Sequence, residues 1–168
     1  MALYQFFNGP MPTTAAQAVV TTGTAIKTLL QVKGVTAVRY KVREWGISFD
    51  GSAAATPIKC ELVETGTVFG TVTAAVAADI VGFDAQGLAT TSTTYFSVGT
   101  AATGYTCTAE GSITATRMFD AQLVAPTNQY IKQFPLGCEP YCDAVSALRI
   151  RVTAGAAVNA LAYVLLEV

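Results

Sequence analysis

The sequence predicts an all-β protein, an antiparallel β-sandwich of jelly-roll-like form preceded by an extended N-terminal arm. Three observations lead there. Strand-like runs recur from residue 26 to the end, roughly nine of them, with Gly, Pro, Asp and Asn at the turns between. Thr and Ala make up about a third of the residues, and Thr is β-branched, tolerates a half-wet strand surface and can satisfy its own hydroxyl. The ending, LRIRVTAGAAVNALAYVLLEV, reads as two strands joined by a small-residue turn.

Residues 1–28 differ in character from the rest. Asn8-Gly9-Pro10 and Pro12 interrupt regular structure, and the Ala/Thr/Gly-rich stretch after them has no long-range period, so this segment is expected to be an extended arm and 29–168 the sandwich. The first body strand is expected over Ile26–Val32. In the next, Ala37–Phe49, Val38, Tyr40 and Val42 share one parity while Trp45, Ile47 and Phe49 have the other. A β-bulge near Glu44 would return all six to one face and leave Arg39, Lys41 and Arg43 on the opposite one. That basic stripe either meets an acidic partner or is a solvated face balanced by Glu61, Glu64 and Glu110, with Arg149 and Arg151 joining it if the strands lie close. Further strands are expected over Ile58–Glu64, Val68–Ala74, Thr94–Val98, Tyr105–Phe119 and Gln129–Phe134. Thr73–Val81 (TAAVAADIV) fits a short helix or a strand end.

The last two strands carry the most information. Leu148, Ile150 and Val152 alternate with Arg149, Arg151 and Thr153, the pattern of a strand with one wet side. In the final strand Val158, Ala160, Ala162, Val164 and Leu166 share one face, and Leu161, Tyr163 and Leu165 the other. Two dry faces need cover on both sides, from a second layer of the chain or from another subunit. Leu161, Tyr163 and Leu165 are therefore the candidate oligomer interface.

At 168 residues the chain suits one domain with a real core. It is 52% hydrophobic and 12% charged, against about 25% charged in ordinary domains, with a net charge of −1. Such a surface does not hold other protein at a distance, which suits a subunit of a permanent assembly. Scattered Lys and Arg and near-neutral charge argue against nucleic-acid binding. No apolar run reaches the 18 or so residues of a membrane helix, and MALYQFFNGPMP lacks the basic start and long apolar run of a secretory signal.

Chemistry has few footholds. There is no His, which removes the usual general base, the common nucleophile pairs and most catalytic metal sites, as well as the side chain that titrates between pH 5 and 8. Asp50, Asp79, Asp84 and Asp120 fall near loops without a spacing that implies a shared site, and no glycine-rich phosphate loop follows a strand. No catalytic residue, cofactor or metal site is assigned, and no enzymatic activity is expected. Cys138 and Cys142 are spaced C-x3-C, open to zinc, to a disulfide or to free thiols, and Cys60 shares the parity of Leu62 as a small buried hydrophobe. Tyr95, Phe96, Tyr130, Phe134 and Tyr141 fit core or interface packing, or a sugar-stacking platform.

The runs VRYKVREWGISFDGSAAATPIKCELVETGT and FDAQLVAPTNQYIKQFPLG, with the ending already quoted, resemble the small β-sandwich head decoration, or cement, proteins of tailed bacteriophages. The likeness spans most of Val38–Val168 and is one of style and segment order. It implies a structural protein made in the host cytoplasm that sits on the outer capsid surface of the virion, commonly as a homotrimer, binds the major capsid protein and bridges capsomers. In that family a terminal arm often reaches over neighbouring shell subunits, which makes Leu3, Tyr4, Phe6, Phe7 and Pro10 the candidate shell contacts. The alternatives are a jelly-roll carbohydrate-binding module and a capsid or tail subunit that assembles by itself.

Overall fold

The computed structural model describes residues 2–52, 54–83, 93–112 and 114–168. Thirteen strands are found among them. They are β1 (Leu3–Phe7), β2 (Val20–Thr21), β3 (Lys27–Lys33), β4 (Tyr40–Phe49), β5 (Ile58–Thr65), β6 (Thr71–Ala74), β7 (Ile80–Gly82), β8 (Gly104–Ala109), β9 (Ala115–Val124), β10 (Gln129–Gln133), β11 (Tyr141–Cys142), β12 (Ala147–Thr153) and β13 (Asn159–Glu167). One sheet, here sheet A, runs β10-β4-β13-β1-β7, with β11 on β4 and β2 on β13; sheet B runs β6-β8-β3-β12-β5-β9. Every strand pairing is antiparallel.

The eight principal strands are β1, β3, β4, β5, β9, β10, β12 and β13. The first pairs with the last, the second with the seventh, the third with the sixth and the fourth with the fifth. That is a long hairpin folded over on itself, the winding of a jelly roll. Residues 66–114 are an insertion at the hairpin's bend. It adds β8 and β6 beyond β3 and β7 beyond β1, so the short strands β6 and β7 are the edges on that side. The other edges are β10 and β9.

One core lies between the sheets. Trp45, Tyr40, Val42, Ile47 and Phe49 of β4 face Leu148, Ile150 and Val152 of β12 and Ile58, Cys60 and Leu62 of β5. The expected bulge in β4 is present: Leu165 pairs with Glu44 and Leu166 with Val42, so Arg43 is the extra residue and five of the six apolar side chains turn inward. Phe96, bridged to β3 through Gly34, forms an aromatic cluster with Phe6 (4.8 Å), Tyr4 (5.5 Å) and Tyr40 (5.5 Å).

The N-terminal segment corrects the sequence reading. Residues 3–7 are no arm; they form β1, hydrogen-bonded between β13 and β7, with Tyr4 and Phe6 buried in the core. The cause is local. LYQFF alternates with period two and supplies two aromatic side chains for the interior, a stronger instruction than the turn residues that follow. Two other boundaries moved. Tyr105–Phe119 is two strands, β8 and β9, separated around Gly111, and TAAVAADIV ends as a 3-10 turn, Ala77–Asp79, leading into β7. The expected strand Thr94–Val98 contributes only isolated bridges at Phe96 and Val98.

Candidate functional site

The two sheets present unlike outer faces. On sheet B that face carries a hydrogen-bonded polar cluster, with Met118 and Leu123 of β9 exposed at its edge. Thr28 bonds Glu110 through both its amide and its hydroxyl, Arg151 pairs with Glu61 at 2.7 Å, and the Gln31 side chain bonds the backbone of Gly70 and Ala102, which lie over it. Arg149 is wholly buried there, donating to the Val68 carbonyl and standing 3.6 Å from Glu110. Burial pulls its guanidinium pKa down, against the raising effect of Glu110. Arg149 and Arg151 thus do not join the basic stripe of β4, which lies on the other sheet.

On sheet A the outer face sets apolar side chains among Gln5, Glu44, Ser48, Gln129 and Gln133. Side chains of β10, β4, β13 and β1 line up in register across it: Ile131 opposite Gly46, Gly46 opposite Tyr163, Tyr163 opposite Phe7. Tyr163 fills the place Gly46 leaves. A Cβ on Gly46 would lie 2.5 Å from the Tyr163 ring, so the glycine is what lets the tyrosine lie across β4. Its ring centroid is 6.2 Å from that of Phe7, and its hydroxyl donates to Glu44. Burial, followed by the bond to Glu44 and that carboxylate's charge, holds the phenol well above its usual range. Leu161 and Leu165 flank Tyr163 on β13, and Leu3 joins them from β1; all are half-buried, while Ala160, Ala162, Val164 and Leu166 on the same strand's inner face have no exposure. Phe7, Ile131, Leu161 and Tyr163 wall a depression of about 240 Å³ whose rim carries Gln5, Ser48 and Gln129, and no charged residue lines it.

Toward the far end of this face the stripe of β4 is neutralised. Arg39 pairs with Asp143, Lys41 with Glu167, and Arg43 with both Glu139 and Glu167. The solvated, balanced reading of the stripe is the one the structure supports, with partners other than those expected from the sequence.

The expected shell contacts separate into three groups. Tyr4 and Phe6 are interior, Leu3 and Phe7 belong to the open face of sheet A, and Pro10 is exposed at one end of the sandwich. The segments that meet at that end, 8–26, 50–57, 125–128 and 154–158, contain one charged residue between them, Asp50. Its carboxylate accepts a bond from Asn159.

Groups that might have carried chemistry are spent on structure. The Asp79 carboxylate accepts the amides of Met11 and Val76, and Asp120 accepts bonds from Trp45, Tyr130 and Gln122; Asp84 lies outside the described residues. Among the described residues no group of three or more Cys, Asp or Glu is placed to hold a metal ion. The four thiols are free. Burial raises Cys60 to about 12 and Cys107 to about 11, and lifts Cys142 further, whereas Cys138 is exposed. A maleimide is therefore expected to modify one thiol per chain in the folded protein and four after denaturation, as read by mass spectrometry. Modification of more than one in the native state would mean that the buried cysteines are less protected than the packing implies.

Compared with known proteins, the chain matches no family model, no curated protein and no solved structure.

Proposed function

We propose that the protein is a structural virion subunit, a head decoration or cement protein that sits on the outer capsid surface of a tailed bacteriophage, binds the major capsid protein and stabilises the shell by bridging capsomers. In this reading it acts as a homotrimer. The observation that carries it is the outer face of sheet A, where Leu161, Tyr163 and Leu165 are joined by Leu3, Phe7 and Ile131 in an apolar surface that is left without cover among the described residues. Surfaces of this kind mark protein contacts. The jelly roll itself is an architecture shared by viral capsid and lectin domains.

The loss of a free arm moves the shell contact elsewhere. The end around Pro10 is the candidate, since a small-residue surface whose segments carry Asp50 alone as a charge can lie flat against protein while desolvating little charge. A trimer would present three such ends, and avidity would supply the strength that one lacks.

Light scattering on the purified chain, with sedimentation against undecorated heads, tests the reading. A mass near three chains that falls to one in Tyr163→Asp, together with co-sedimentation of the wild type, is expected. A wild-type monomer that leaves heads bare would overturn it. One observation favours a second reading. The depression beside Tyr163 combines aromatic walls with amide and hydroxyl tips, which also suits a sugar ring, and saturable binding on a glycan array would select the carbohydrate-binding module.

A further inference from the structure

Among the described residues Leu136 is the most exposed of the large apolar side chains, at 81%, and its setting is not that of a loose loop residue. It occupies the tip of a tight turn in which the Cys138 amide donates to the Pro135 carbonyl (2.9 Å) and Gly137 takes φ 84°, a conformation glycine adopts without strain. The Gly137 amide donates to Glu139 (2.8 Å), Glu139 pairs with Arg43 of β4, and the Phe134 amide bonds the Arg43 carbonyl. The turn is thus braced to sheet A from both sides. It stands at the margin of the open face, beside a depression it shares with Leu3 and Leu165.

A rigidly held, solvent-exposed leucine and an uncharged apolar cup therefore lie on one surface. We propose that Leu136 is the knob of a copy-to-copy contact, seating in the cup between Phe7, Ile131, Leu161 and Tyr163 of a second copy of this chain. The dimensions agree. A leucine removed from a protein core leaves a space of about 150 Å³, and the cup offers about 240 Å³. The charge agrees as well, because the cup carries none and the chain's net charge is −1, so like copies are not kept apart. At roughly 50–100 Å² for each of Leu136, Ile131 and the half-buried Leu3, Phe7, Leu161, Tyr163 and Leu165, the face offers on the order of 500 Å² of apolar surface, the larger part of the about 800 Å² per partner of a stable interface. Ordering is already complete in the braced turn, so association loses little entropy there. Knob and cup are unlike patches, so the contact runs from each copy to the next and can close a ring.

This inference rests on the copy-to-copy reading of sheet A. It is tested by the solution mass of wild type, Leu136→Asp, Leu136→Met and Tyr163→Asp across concentration, with melting curves for each. Leu136→Asp is expected to melt like wild type, since the side chain is 81% exposed, and to weaken association by roughly 100-fold or more, the scale of a central interface anchor; Leu136→Met is expected to stay assembled. If Tyr163→Asp dissociates but Leu136→Asp remains assembled, the knob is refuted and the sheet A interface stands. A wild type that is monomeric at every concentration refutes both.

Discussion

A chain lacking residues 1–14 is expected not to fold. The segment looks dispensable in sequence, with its turn residues and its place at the terminus, but it contains a central strand. β1 hydrogen-bonds β13 on one side and β7 on the other, and Tyr4 and Phe6 bring their rings to Phe96. Emptying the site of one buried aromatic costs about 3–5 kcal/mol, and the two together approach the about 5–15 kcal/mol that keeps a typical domain folded. The inner-face residues of β13 would be left at a raw edge beside a void. Far-ultraviolet circular dichroism through a thermal ramp should show no cooperative transition for the truncated chain. Two point variants locate the effect: Phe6→Ala is expected to lose about 3–5 kcal/mol, whereas Phe7→Ser, one residue on but facing outward, should change stability by less than about 1 kcal/mol. A truncated chain that melts within a few degrees of the full one would mean that β1 is a docked arm after all.

The difference between Phe6 and Phe7 also shows where sequence reasoning was adequate and where it stopped. Period-two alternation revealed the inner face of β13, the phase change in β4 and the bulge that resolves it, because those signals are written in neighbouring residues. The same alternation is present in LYQFF, but five residues followed by Asn-Gly-Pro weigh little against a Pro- and Thr-rich tract, and only the register with β13 reveals their role. Of the candidate interface, Leu161, Tyr163 and Leu165 were legible as one face of one strand. Leu3, Phe7 and Ile131 were not, since they join that face across three different strand pairings, and Leu136 draws its meaning from a turn braced by Arg43, far away in sequence. The partners of the basic stripe were misjudged for the same reason: Glu139, Asp143 and Glu167 reach it through topology, and the nearer-looking Glu61 and Glu64 belong to sheet B.

The contrast between the sheets is itself informative. Sheet B carries its own cover, for the insertion lays Val68–Gly70 and Ala102 over Gln31 and Arg149; the Gln31 side-chain amide and Nη2 of Arg149 bond the backbone above them, while Nε and Nη1 of Arg149 are buried without a hydrogen bond. Sheet A has no such cover among the described residues. If the two dry faces of β13 were a matter of monomer stability alone, the cover would be expected over β13, because that is where water contact is least favourable. Its placement over sheet B leaves the outer face of sheet A without cover among the described residues, the feature on which the proposed assembly rests.

Replacing Asp120 by Ala is expected to destabilise the fold by about 3–5 kcal/mol, the range for removing one partner of a buried polar cluster. Asp120 lies on β9, the uncovered edge of sheet B, and its carboxylate reaches sheet A, accepting bonds from Trp45 Nε1 of β4 (3.1 Å) and Tyr130 Oη of β10 (2.9 Å), with Lys132 Nζ 3.5 Å away. It fastens the open side of the sandwich as the insertion closes the other. Truncation would leave an indole N–H and a phenol O–H on two neighbouring strands of sheet A without the acceptor they share. Asp120→Asn keeps an acceptor and is expected to lose less, about 1–2 kcal/mol, through the weaker bonds of a neutral amide oxygen. The two also differ in pH dependence. Burial pushes the Asp120 carboxyl up, but the bonds from Tyr130, Gln122 and Trp45 and the charge of Lys132 outweigh it, and its pKa lies below the usual carboxylate value. A folded-state value below the unfolded one means that the contribution is complete at pH well above about 4 and is lost as pH falls through the lowered folded value. Urea titrations from pH 7 to pH 3 should therefore show the stability of wild type and Asp120→Asn converging toward the acid end. A gap that stays constant over that range would show that the ionised carboxylate is not what joins the sheets.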